Sequence, residues 1–187
     1  MEQLFLTIFL ALFALECLVE FMLNELNLRY VHACWFENKI PDFFQGRIDS
    51  DQYDKSVQYT LAKGHVQRWG EIYDRVVTLL VLFGGGLALI DRLAAGLAQT
   101  LSLGLYGRGI IFCLALALLF TLASLPTDLY STFGLEAKFG FNKITLGLYV
   151  TDRLKGAIVG LVIGVPFLLV LFWLMDVMGQ YWWLWAF

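Results

Sequence analysis

Four long runs of apolar residues constrain this chain more than any other feature. They cover residues 4–28, 72–93, 103–125 and 157–178 of a chain of 187 residues. Each is long enough to cross a bilayer core of about 30 Å, which takes about 20 helical residues. Inside lipid every backbone N–H and C=O must be hydrogen-bonded within the protein, so these runs must be helices. The sequence predicts an all-α, polytopic membrane protein with four transmembrane helices, forming a single membrane domain over residues 1–187.

The composition agrees with a chain that lies in lipid. It is 59% hydrophobic and 16% charged, whereas soluble domains average about 45–50% and about 25%. The expected partner is the lipid bilayer. A net charge of -3, with lysines and arginines scattered between the apolar runs, gives no indication of nucleic-acid binding. The aromatic end, residues 180–187, resembles an interfacial belt and could equally be the first turn of a fifth transmembrane helix.

The basic residues predict an orientation in the membrane. The first connection between spans holds seven of the 13 lysines and arginines, the third holds four and the second holds two. Loops rich in Lys and Arg stay in the cytoplasm. We therefore expect a multi-pass protein of the bacterial inner membrane or endoplasmic reticulum, with both chain ends on the non-cytoplasmic side.

The first connection is predicted to contain an amphipathic helix. Pro41 should end any helix that continues from the first span, because proline lacks the N–H and clashes inside a helix. Residues 49–51, Asp-Ser-Asp, offer an N-cap for a new helix that leads into the second span. Gly64 or Gly70 could break that helix, and the third span should stop at Pro126.

Polar residues within the first span mark a candidate site. Glu16, Glu20 and Asn24 are spaced four apart, so they share one helix face. A carboxylate at mid-membrane costs about 2.5–3.5 kcal/mol on insertion scales, so it faces a protein interior, water or a partner. One interpretation is the wall of a water-filled chamber or a proton site. The other is an interhelical hydrogen bond or a protonated acid.

A second pattern indicates helix packing rather than chemistry. Gly156, Gly160 and Gly164 lie on one face of the fourth span, and small residues at this spacing let helices approach closely. We expect packing within the molecule, with homodimerisation as an alternative.

No catalytic constellation is visible in the chain itself. His32 and His65 are separated by 33 positions and neither belongs to an HExxH motif, which a zinc protease of that class needs on one helix. The three cysteines form no CxxC pair. We expect no metal site within these residues.

Two stretches resemble a known family. Residues 125–143 read LPTDLYSTFGLEAKFGFNK, which is similar to the P-x-x-x-Y-x-x-F-x-x-E-x-x-F-G-F-N signature of type I CAAX prenyl endopeptidases, integral-membrane zinc metalloproteases. The matching positions of this loop motif are Tyr130, Phe133, Glu136, Phe139, Gly140, Phe141 and Asn142. The first connection, with Ile40-Pro41, residues 53–56 and Tyr59, resembles the family's first cytoplasmic loop more weakly. Ala137 stands where members often have a second acid.

The resemblance implies a ring of helices around a water-filled chamber, with the Glu16 face as a chamber lining. Zinc is expected only in the full-length protein, bound by a C-terminal catalytic part that these residues do not include. The implied substrate is a peptide or prenylated protein. Glu136 and Asn142 would brace the loop against the catalytic part. The alternative function is a stand-alone small membrane protein that acts as a binding, assembly or transport subunit.

Overall fold

The computed structural model describes residues 2–36 and 49–186, and these residues are almost entirely helical. The principal helices are α1 Glu2–Phe36, α2 Ser50–Phe83, α3 Gly86–Thr100, α4 Leu105–Leu129, α5 Ala137–Phe139, α6 Leu146–Met178 and α7 Trp182–Ala186. Among the described residues, three helices are long and apolar enough to span a membrane, or four if α2 and α3 form one bent span. The predicted all-α, polytopic fold is confirmed.

Helix α1 is longer than the predicted first span of residues 4–28. It continues to Phe36 because its last ten residues contain neither proline nor glycine. The helix break predicted at Pro41 lies outside the described residues.

Helix α2 begins where the sequence predicted a cap. The Asp49 carbonyl accepts the Tyr53 N–H at 3.0 Å, the first hydrogen bond of the helix. The helix then runs unbroken to Phe83, so neither Gly64 nor Gly70 interrupts it.

The chain bends at Gly84, Gly85 and Gly86, where α2 ends and α3 begins. Helices α2 and α3 meet at 62°, so the second predicted span is two helices and not one. Gly85 is left-handed, with φ 83°, and a Cβ on Gly86 would lie 2.8 Å from Val81 Cα. Glycine is favoured at position 85 by the positive φ and at position 86 by the nearby Val81 backbone.

The expectation that the third span stops at Pro126 is wrong. Helix α4 passes through Pro126 to Leu129 and continues as a π-helical segment, Tyr130–Glu136, into α5. Proline removes one backbone donor, and a membrane helix can absorb that loss by local π-helical adjustment. The next long helix, α6, is capped by Thr145, whose Oγ1 accepts the Leu148 N–H at 3.3 Å.

The described chain falls into two compact units. Unit 1 comprises Met1–Arg75 and Thr127–Asn142, and unit 2 comprises Val76–Pro126 and Lys143–Phe187. That residues 1–187 act as one domain stays a prediction. Few side chains are buried, and apolar side chains of the spans are widely exposed, such as Val162 at 68%. Such surfaces need lipid or further protein to cover them.

Candidate functional site

In unit 1, α1 and α2 pack antiparallel around a close contact. A Cβ added to Gly64 would lie 2.4 Å from Leu28 Cδ2, so a larger residue at position 64 would have to displace the Leu28 side chain. Leu28 is buried at this contact, with 6% of its surface exposed. The indole Nε1 of Trp35 donates to Asp54 Oδ1 at 2.9 Å and closes one end of the pair.

The predicted polar face of α1 lies partly against α2. The Glu20 carboxylate pairs with the Arg75 guanidinium, and Asn24 Nδ2 donates to the Gly64 carbonyl at 3.4 Å. Glu16 is exposed. Of the two interpretations left open, interhelical bonding describes the contacts of Glu20 and Asn24. A chamber-lining role stays a prediction.

Glu25, which directly follows Asn24 on α1, is the centre of a cluster that the sequence did not indicate. Its carboxylate accepts Arg29 Nε at 2.8 Å and Arg68 Nη2 at 2.5 Å. These three residues line a cavity of about 290 Å³ together with both histidines, His32 and His65. His32 and His65, 33 positions apart in the sequence, therefore line the same cavity because α1 and α2 pack side by side.

The loop motif folds as a π-helical segment followed by a tight turn. Gly140 adopts the left-handed conformation, with φ 75°, and ends α5. The Glu136 carbonyl accepts the N–H groups of Phe141 and Asn142 at 2.9 and 3.2 Å. Glu136 thus organises the turn through its main chain. A role of its side chain, or of Asn142, against a catalytic part stays a prediction.

Aromatic rings attach this turn to α2. The Tyr59 ring lies 5.5 Å from the Phe139 ring and 4.7 Å from the Phe141 ring, both edge-on. Lys55 Nζ lies 5.6 Å from the centre of the Phe141 ring. The two stretches whose family likeness was separate in the sequence are thus in contact, 80 positions apart.

The remaining loop-motif positions lie on the π-helical segment itself. Tyr130 is exposed and Phe133 half-buried. Leu135, which the sequence did not single out, is the buried residue of this segment, with 6% exposed.

The glycine face of α6 is open within the described residues. A Cβ on Gly156, Gly160 or Gly164 would have no neighbouring atom within 4 Å. That these glycines mediate packing stays a prediction, and it requires a partner other than the described helices.

Unit 2 contains a larger cavity, of about 860 Å³, which is lined mainly by apolar side chains and by four polar or charged ones, Asp91, Tyr106, Arg108 and Asp176. Asp91 accepts a bidentate pair of bonds from Arg108, whose Nη2 lies 2.6 Å from Oδ2 and whose Nε lies 3.2 Å from Oδ1. Tyr106 Oη donates to Asp176 Oδ2 at 2.8 Å. The sequence pattern indicated none of these four residues as a site.

Neither cavity holds the ligands of a metal ion. Across residues 2–36 and 49–186, no group of three or more His, Cys, Asp or Glu side chains has the geometry to bind one. The cysteines Cys17, Cys34 and Cys113 are free thiols, each half-buried.

Comparison with known proteins decides the family. A family model described as CAAX prenyl protease N-terminal, five membrane helices, matches residues 29–187. The chain belongs to this family. The resemblance predicted from the loop motif is therefore confirmed, and the chain is a multi-pass membrane protein that corresponds to the N-terminal membrane domain of CAAX prenyl proteases.

The individual relatives agree with this assignment. The chain is 30% identical to a CAAX prenyl protease 1 homolog of Mus musculus over 151 residues, which are 79% of this chain and 32% of the mouse protein. It is 31% identical to CAAX prenyl protease 1 of Saccharomyces cerevisiae over 138 residues, 71% of this chain and 30% of the yeast protein. The crystal structure of S. mikatae Ste24p matches with a TM-score of 0.77 at 26% identity, covering 89% of this chain and 39% of that one. The chain thus spans about a third of the length of these curated relatives.

Proposed function

We propose that this chain is the N-terminal, chamber-wall domain of a zinc metalloendopeptidase that cleaves prenylated or membrane-associated proteins. The observation that supports this best is the contact between Tyr59 and the rings of Phe139 and Phe141. It joins the two stretches through which the chain resembles CAAX prenyl proteases, so the family's sequence pattern corresponds to one folded substructure.

The domain is not catalytic by itself in this proposal. The described residues do not fit a zinc site, because no three metal-binding side chains come together among them. The HExxH motif is also absent from the 187 residues. A C-terminal catalytic part would supply the zinc ligands, and this domain would supply the helices that enclose the substrate.

Three features of the domain follow from that role. Glu16, which is exposed on α1, lines the water-filled chamber. The face of Gly156, Gly160 and Gly164 packs against a helix of the catalytic part, which explains its open surface here. The basic first and third connections face the cytoplasm, and both ends of this chain lie on the other side.

The decisive experiment compares residues 1–187 with the product of the whole reading frame that encodes them. Both are purified in detergent, and zinc content and cleavage of a farnesylated CAAX peptide are measured. We expect one zinc ion per molecule and cleavage from the whole product, and neither from residues 1–187. Stoichiometric zinc and cleavage in residues 1–187 alone would refute the proposed division of roles, and a whole product with neither would refute the assigned activity.

Chamber lining is tested by thiol labelling in a variant without native cysteines. Glu16→Cys should react with a water-soluble maleimide in the whole product, whereas Val162→Cys, on the apolar surface of α6, should not. A Glu16→Cys variant that reacts no faster than Val162→Cys would show that no water reaches this face.

A further inference from the structure

The cavity between α1 and α2 has the composition of an anion site. Its charged residues are two arginines, Arg29 and Arg68, and one carboxylate, Glu25. The charges do not cancel, because one carboxylate faces two guanidinium groups. His32 and His65 add ring nitrogens that can donate hydrogen bonds. The excess of donors over acceptors favours a ligand rich in anionic oxygens.

Arg68 is held in place beside the cavity by contacts with α1. Its Nη2 bonds to Glu25, whereas its Nε atom is buried and has no hydrogen-bond partner among residues 2–36 and 49–186. The guanidinium carbon lies 5.1 Å from the centre of the Phe21 ring, so the side chain is held from two directions. A buried donor without an acceptor is costly. Arg68 also lines the cavity, so an anionic ligand there would meet a guanidinium group that these contacts already order.

The cavity is built on a fixed helix contact. Leu28 and Gly64 are in close contact beside it, and Asn24 bonds to the Gly64 carbonyl. The spacing of the α1 and α2 backbones on either side of the cavity is thereby set. A volume of about 290 Å³ is at the lower limit of small-molecule pockets and suits a single phosphate group with its substituent.

We propose that this cavity binds the phosphate group of an anionic ligand, held by Arg68 and Arg29 with the two histidines. Arginine is suited to this task because its planar fork of donors matches phosphate oxygens. The cavity begins where the apolar run of α1 ends, and Trp69, adjacent to Arg68, is 72% exposed, as interfacial tryptophans are. Both a phospholipid headgroup and a soluble phosphate ester have this chemistry.

The test uses the product of the whole reading frame in lipid nanodiscs and two probes. Phosphatidic acid in a phosphatidylcholine background tests the lipid source, with retention measured by native mass spectrometry. Glycerol 3-phosphate tests the soluble source, with binding measured by calorimetry. Binding of either probe supports the site, and the stronger probe identifies the source. Binding of neither above the phosphatidylcholine background overturns the proposal.

Three substitutions place the binding in this cavity. Arg68→Gln should weaken binding about tenfold or more, as loss of a charge-assisted hydrogen bond does. Glu25→Gln should strengthen binding, because it removes the carboxylate that competes for Arg68. A gain in binding cannot result from loss of folded protein. Lys63→Gln is the matched control, since it removes one positive charge from the exposed surface of the same helix. Equal losses in Arg68→Gln and Lys63→Gln, or weaker binding in Glu25→Gln, would refute the site.

Discussion

The contact between Tyr59 and the loop motif gives the most informative prediction. Tyr59→Ala removes two edge-on aromatic pairs, with ring centres 5.5 and 4.7 Å apart. Each such pair is worth about 0.5–1.5 kcal/mol beyond its buried area. The loop should therefore lose about 1–3 kcal/mol of local stability. Because about 1.4 kcal/mol changes an equilibrium tenfold, the fraction of molecules in which the loop is detached from α2 should rise about five- to 150-fold.

Limited trypsin digestion in detergent measures that opening. Lys138 is exposed, but the bond after it lies within α5 and leads into Phe139, which contacts Tyr59. Cleavage there requires the segment to open, and its rate follows the open population when closing is fast. Mass spectrometry of the cleaved peptide gives the rate at this bond alone.

Tyr59→Phe is the matched control because it keeps the ring and removes only the hydroxyl. Its cleavage rate after Lys138 should lie within about twofold of the wild-type rate if the ring carries the contact. If Tyr59→Ala were cleaved after Lys138 no faster than the wild type, the rings would not hold the loop to α2. Equal acceleration in both variants would assign the effect to the hydroxyl and would also refute the reasoning.

Two further predictions concern the helix junctions. Gly85→Ala should destabilise the chain by about 1–2 kcal/mol, because φ is 83° there. Gly96→Ala is the control, since there is open space at its Cβ position, and it should be neutral or stabilising. Thermal unfolding in detergent compares the two variants, and a Gly85→Ala unfolding midpoint no lower than that of Gly96→Ala would contradict the predicted backbone strain. Trp35→Phe should cost about 0.5–1.5 kcal/mol by losing the hydrogen bond to Asp54, while Trp69→Phe on the exposed surface should cost less. Equal unfolding midpoints for the two tryptophan variants would show that the Asp54 bond contributes nothing.

Much of the fold followed from local sequence properties. An apolar run of about 20 residues must be helical in lipid wherever it lies, so the spans and the all-α class could be predicted without knowing any contact. The start of α2 at residues 49–51 was equally local, since a cap depends on neighbouring residues. The loop motif identified the family because its residues are contiguous.

Local signals were weaker where the chain changes direction. The sequence contained three consecutive glycines in the second span, yet only the structure gave the 62° bend. It contained Pro126, and the usual expectation of a helix end was wrong because the chain continued in π-helical form. Glycine and proline permit or disfavour particular backbone angles, but the neighbouring backbone determines which conformation results.

Tertiary structure alone decided which distant residues meet. Tyr59 contacts Phe141, and Arg68 contacts Glu25, because helices from different parts of the chain pack side by side. His32 and His65, which looked unrelated in sequence, line one cavity for the same reason. Helical periodicity specifies the face on which a residue lies and not the helix that covers that face. The sequence by itself therefore determined that this chain is a helical membrane domain of the CAAX prenyl protease type, and helix packing determined where its polar side chains come together.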